Sequence, residues 1–360
     1  MSETYFLFTG SCNRPTPYFA SANGAGLGVY RFDADRLEAE KVAECGEIDN
    51  PTFFSVRPDG TALYANSEVF GWKEGLVTAF SFDKASGALD YINMQPSLGS
   101  IAAQSIIARD GKHLLMVNYG MGEGGPDQSL AVFPFTDKKG FHPAVASRRQ
   151  TGSGSDPVRQ ERSHAHSVIE IGNNVFVVAD LGCDTLTSYR LTDGELVRLS
   201  ETRCIPGAGP RHCVLHPNGR FLFVLNELNS SCASFTVEGN AGALAAINAV
   251  KALPDTTGNH CSDIQISPDG RFLYGGNRGH DSISLFGISA DGAVEFLSST
   301  PAGGKTPRNL AISPSGRHLF CANQDSDRIN IFERDAITGA LRDTGRAIET
   351  GTPTCIKIAG

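Results

Sequence analysis

The sequence predicts an all-β protein, a seven-bladed β-propeller with four-stranded antiparallel blades, spanning residues 1–360 as one domain. Its last blade is predicted to be closed by strands from both termini. Three observations carry this. A strand–turn–strand unit starts seven times, at Pro51, Ala102, His164, Pro210, Cys261, Pro307 and Pro353, so the intervals are 51, 62, 46, 51, 46 and 46 residues. Turn formers are abundant, with 40 Gly and 18 Pro. No segment longer than about twelve residues keeps a helical apolar period.

Each unit reads the same way. In "PRHCVLHPNGRFLFVLNE" from Pro210, an alternating apolar strand meets a Pro-Asn-Gly turn and returns as a second apolar strand. A third strand follows in the repeats, as in "SISLFGIS" and "RINIFERD", then a Gly turn and a weaker fourth strand. Four short strands per unit make a propeller blade. The final unit, "PTCIKIAG", holds one strand only. Its three partners are found at the other end of the chain, in "TYFLFTGS", "LGVYRFD" and "LEAEKVAEC". The expected pairing of Cys355–Ile358 with Tyr5–Gly10 removes the open edge between first and last blades. The stretches "NYGMGEGGPDQS" and "RRQTGSGSDPVRQERS" are insertions between strands.

Composition narrows the function. A formal net charge of −8 argues against nucleic-acid or anionic-membrane partners, and no apolar run is long enough to span a bilayer. The N-terminus lacks the basic and apolar regions of a secretory signal. Nine Cys without a Cys-x-x-Cys pair are expected to be reduced thiols in a cytoplasmic monomer.

The hairpin rule locates a candidate site. The start of the first strand and the end of the second lie at the same end of an antiparallel hairpin. Arg211-His212 and Glu227 are therefore predicted neighbours, at the mouth of the channel lined by the innermost strands. Tyr119, Leu181, Arg278 and Gln324 occupy the position of Glu227 in other units, and Ala165-His166, Ser262-Asp263 and Arg308-Asn309 that of Arg211-His212. The repeat dictates the apolar positions, not these, so their divergence suits a site built on a scaffold. Each residue also has a structural reading. Arg211 with Glu227 ties two strands. The recurring Asn or Asp (Asn118, Asp180, Asn226, Asn277, Asn323) satisfies backbone donors in the next turn. His216 is a turn residue, and Arg220, Arg271 and Arg317 are solvated at the far end. "NGAGLG" lacks the following helix of a dinucleotide loop. His164 and His166, two apart on a strand, face one way, but no carboxylate motif accompanies them, and no metal or other cofactor is expected.

The motifs "RQERSHAHSV", "ADLGCDTL", "GPRH", "NELNSS", "SPDGRFLYGGNRGHDSI" and "TPRNLAISPSGRHLFCANQDSD" resemble the lactonase seven-bladed propeller family. That family includes propeller-type 6-phosphogluconolactonases and 3-carboxy-cis,cis-muconate cyclases. The resemblance implies a cofactor-free site in the channel mouth, with His166, Arg211, Glu227 and Arg278 as catalytic residues. Arg159, Gln160, His164, His212, Tyr119, Asn309 and Gln324 are expected to contact substrate. The N-terminal "GSCNRPTPYFASANGAGLGVY" is longer than the turn the family would place there.

These residues suit hydrolysis of a sugar-acid lactone, 6-phosphogluconolactone foremost. Arg211 and Arg278 would stabilise the oxyanion, while Glu227 or His166 takes a proton from water. Arg148, Arg149, Arg159 and Arg162, in the insertion before His166, would draw in a phosphate or carboxylate. A cycloisomerisation of a muconate would use the same four catalytic residues. A non-catalytic propeller that binds a ligand or protein is the third reading, but the Trp-Asp repeats of docking propellers are missing.

Overall fold

The computed structural model describes residues 3–121, 124–238 and 241–359, so Gly122 and Glu123 of the first insertion lie outside it. Among the described residues there is no α-helix. Seven four-stranded antiparallel sheets follow one another around the ring. Blade one holds Thr4–Ser11, Leu27–Asp33 and Glu38–Cys45, with Pro353–Ala359 as its innermost strand. Blades two to seven span 54–96, 102–148, 165–203, 210–251, 260–301 and 307–349. The closure is as the sequence predicts: Gly10 pairs with Cys355 and Leu7 with Ile358.

Alternation and burial explain why these segments are strands. In blade five the second strand, Phe221–Asn226, is buried on both faces because sheets flank both its sides. The fourth strand of blade one, "EAEKVAEC", faces solvent, and its charges blunt an edge that would otherwise pair with another chain. The core is not one mass but a set of clusters between neighbouring blades. One joins Leu7, Tyr30 and Phe32 of blade one to Phe320, Ile329 and Ile331 of blade seven, with Phe32 and Phe320 edge-to-face at 5.1 Å. Hairpin turns such as His216–Gly219 need a left-handed residue, supplied by Gly219 at φ 73°.

Of the recurring Asn and Asp, Asp180 acts as the turn chemistry predicts, whereas the Asn residues donate their amides to carbonyls or serine hydroxyls. Asp180 accepts the backbone N–H groups of His164, Gly182 and Cys183, and Asn323 Nδ2 donates to the Ala302 carbonyl across 2.7 Å. His216 is likewise a turn residue, accepting from Asn218 N and lying 3.0 Å from the Gly270 carbonyl.

At the channel mouth the innermost strands carry a repeated irregularity. The pairing slips between Ala102 and Gln104, Ala165 and Ser167, Pro210 and His212, and Pro307 and Asn309. The extra residue of each bulge is Ala103, His166, Arg211 or Arg308, and Thr354 holds the same place in blade one. A bulge re-aims a side chain that strict alternation would send into the neighbouring blade. All five residues line the central cavity.

The bulges correct the sequence alignment in blade four. The unit begins at Ala165, which pairs with Asp180, and not at His164. His166 is therefore the counterpart of Arg211 rather than of His212. Both rings pack against Tyr119, at 4.2 Å and 5.6 Å, but of the two only His166 lines the cavity.

Candidate active site

The innermost strands enclose a cavity of about 550 Å³. Its centre of charge is Glu227, on the residue after the second strand of blade five. Arg211 Nε donates to Glu227 Oε2 at 2.8 Å, Arg278 Nη2 reaches the same oxygen at 2.8 Å, and Arg159 Nη2 reaches Oε1 at 2.6 Å. One buried carboxylate thus holds three guanidiniums from blade five, blade six and the insertion before blade four. Burial works to raise the Glu227 pKa, but Arg278, Arg211 and Arg159 together outweigh it and keep the carboxyl well below its usual range. Burial, then Arg278, lowers the Arg211 pKa to about 9, which leaves it charged at neutrality.

The arginines keep donors in reserve. Arg211 spends Nη1 on the Ser262 carbonyl, and Arg278 spends Nε and Nη2 on the carbonyls of His260 and Cys261. Nη2 of Arg211 and Nη1 of Arg278 have no protein acceptor among the described residues.

Two imidazoles stand beside this cluster. Burial, with Arg211 and His212 close by, pushes the His166 pKa well below the ordinary histidine value, so the ring is neutral. Its Nδ1 is buried without a partner. His212 packs edge-on against it, ring centres 5.3 Å apart. His212 Nδ1 lies 2.7 Å from Asp263 Oδ1, and burial first, Arg211 second, lower its pKa to about 4. A neutral His212 therefore donates Nδ1–H to an ionised Asp263, whose other oxygen accepts from Asn309, Gln265 and Leu310 N. Among the described residues no three His, Cys, Asp or Glu side chains form a metal-binding group.

The sequence-predicted residues divide between cavity wall and support. Tyr119, Arg159, His166, His212, Asn309 and Gln324 line the cavity with Arg211, Glu227 and Arg278. Asn309 spends its amide on Asp263 and Ile356 N. Gln160 and His164 are corrected: both lie behind the wall. Gln160 donates to the Leu181 carbonyl and accepts from Ser155 N and Asp156 N, which folds the insertion. His164 stacks on Tyr119 at 4.2 Å and is held by Glu161 and the Tyr119 carbonyl. The four-arginine funnel is also corrected, since only Arg159 reaches the cavity. Arg149 and Arg162 pair with Asp127, and Arg148 bonds the carbonyls of Ser147 and Leu196.

Sequence reasoning missed the opposite wall. Tyr18 and Phe19 come from the long N-terminal loop, and Glu68 and Thr52 from blade two. Glu68 accepts from the Tyr18 and Thr52 hydroxyls. Arg308 lies over the Phe19 ring, 4.6 Å from its centre. Its place in the repeat, equivalent to Arg211, was the signal that could have found it.

A family model described as lactonase, 7-bladed β-propeller, matches residues 7–358. A 6-phosphogluconolactonase of Bacillus subtilis is 31% identical over 93% of this chain and 95% of its own. One of Formosa agariphila is 34% identical over 93% and 94%. Among solved structures, a periplasmic gluconolactonase of Pseudomonas aeruginosa superposes with a TM-score of 0.89 at 28% identity, covering 99% of both chains.

Proposed function

The chain belongs to the seven-bladed β-propeller lactonase family, and from that premise we propose that it hydrolyses sugar-acid lactones, 6-phosphogluconolactone foremost. The observation that carries the mechanism is a neutral His166 beside a carboxylate that three guanidiniums hold ionised. Both oxygens of Glu227 accept from guanidiniums, so its role is to order Arg211, Arg278 and Arg159, whereas His166 Nδ1 has no partner. His166 takes the proton from the attacking water. The carbonyl oxygen becomes an oxyanion as the C–O bond to water forms, and the spare Nη2 of Arg211 and Nη1 of Arg278 receive it. When the ring C–O bond breaks, His166 returns its proton to the leaving alkoxide. Glu227 stabilises the transient imidazolium by charge, and His212, braced by Asp263, packs the ring in place.

The fold's solvent-facing strands and chemistry favour a cytoplasmic monomer acting on a small anionic lactone, without nucleic-acid or membrane partners. All nine thiols are free, the net charge is −8, and among the described residues no helix is long and apolar enough to cross a membrane. Light scattering at working concentration checks the monomer.

Reaction in ¹⁸O-labelled water tests the chemistry. Hydrolysis places one labelled oxygen in the acid product. An unlabelled product formed from a carboxymuconate would replace hydrolysis by cycloisomerisation at the same residues.

A further inference from the structure

Arg308 and Gln324 of blade seven repeat, position for position, the arrangement of Arg211 and Glu227 in blade five. Pro307 pairs with Asn323 as Pro210 pairs with Asn226, and each arginine is the bulged residue that follows. Gln324 N donates to the Thr306 carbonyl as Glu227 N donates to that of Gly209. The outcome differs in charge. Arg211 bonds a carboxylate, whereas the blade-seven residue at the place of Glu227 is the uncharged Gln324.

Among the described residues no carboxylate lies within 4 Å of the Arg308 guanidinium and no protein acceptor takes its hydrogen bonds. Glu68, on the same wall, spends its two oxygens on Tyr18 and Thr52. Phe19 holds the face of the guanidinium and leaves its edge, where the donors are, open to the cavity. Gln324 adds a second unmet group: its Nε2 donates to Asp325, but its Oε1 is buried without a partner, in a residue that is 2% exposed and lines the same cavity. A planar cation that feels Glu68 and Glu227 only through space, and keeps its donors free, is a site for a tetrahedral or planar oxyanion bound through two parallel hydrogen bonds.

We infer that Arg308 and Gln324 form a subsite for the phosphate of a phosphorylated lactone, separate from the Arg211–Arg278 pair that faces the reacting carbonyl. The inference rests on the lactonase reading for its substrate but not for its site. Arg308 anchors the phosphate through its fork, and Gln324 Oε1 accepts from a phosphate or sugar hydroxyl beside it.

The test compares wild type with Arg308→Gln, Arg308→Lys and Gln324→Glu, the last of which recreates the blade-five pair and neutralises the cation without removing it. The first readout is the ratio of kcat/KM for 6-phosphogluconolactone to that for glucono-δ-lactone. We expect a fall in this ratio of about 100-fold in Arg308→Gln and Gln324→Glu, carried mainly by KM, with partial retention in Arg308→Lys. Equal losses on both lactones, or none, would overturn the subsite. The second readout needs no turnover: calorimetric binding of 6-phosphogluconate against gluconate. Wild type should favour the phosphorylated acid by about tenfold or more, and Arg308→Gln should lose that preference. Failure of wild type to hydrolyse either lactone would remove the lactonase reading, while the calorimetric preference would still decide the subsite. Melting curves of all variants separate loss of binding from loss of fold.

Discussion

Arg159 Nη2 lies 2.6 Å from Glu227 Oε1, a bond between residues 68 positions apart that stitches the insertion before blade four to the floor of the cavity. The neighbouring arginines of that insertion spend themselves on Asp127 instead. Arg159→Ala should therefore lower kcat/KM at least tenfold, by freeing Glu227 to draw on the other two guanidiniums. Arg149→Ala should change turnover less than twofold. Steady-state kinetics of the two variants checks the contrast.

Glu227 is the only carboxylate that the Arg211 guanidinium bonds among the described residues. Removing one partner of a buried ion pair leaves an uncompensated charge, at a cost of about 3–5 kcal/mol. Glu227→Gln should thus lower the melting temperature strongly as well as the rate. Arg211→Ala should lower kcat by about 100-fold, the effect of losing an oxyanion donor. A lowered melting temperature with intact turnover in Arg211→Ala would reduce the residue to a tie between strands.

The pH dependence follows from the same burial. His212 titrates at about 4 when folded and near 6.5 when unfolded. Between those values the unfolded chain binds more protons, so stability falls as the pH drops from 6.5 toward 4, by on the order of 3 kcal/mol. Glu227, held below the usual carboxylate range, adds stability above about pH 4.5 that is lost as the pH falls through its folded value. Thermal melts from pH 4 to 8 should show a plateau at neutrality and a steep acid limb, and His212→Gln should flatten the upper part of that limb. Because His166 stays neutral at these pH values, kcat/KM should be level from pH 6.5 to 8.

Pro353–Ala359 is the innermost strand of blade one and pairs with Thr4–Ser11. Deleting residues 353–360 opens an edge at the channel and removes Ile356 from the cluster between blades one and seven. Loss of cooperative unfolding, by circular dichroism, is the expected result. A truncated chain with an unchanged melting temperature would show that the ring does not depend on its closure.

The number of blades, their four-strand composition, the closing pair and the approach of Arg211 to Glu227 all follow from the sequence alone. Hairpin pairing is local, and a period-two apolar pattern with a Gly turn fixes which residues end up side by side. Tertiary structure alone decided the rest. The bulge that brings His166 into the position of Arg211 shifts the register by one residue, and an apolar pattern does not mark it. The return of Arg159, but not Arg149 or Arg162, to the cavity depends on Asp127 and on the turn that Gln160 folds. Tyr18 and Phe19 reach the site because the N-terminal loop packs against blades two and seven. Pairing within a blade is written in neighbouring residues; the path of a loop across the mouth is set by charges and rings from blades far apart in the chain, and those meet only when the ring closes.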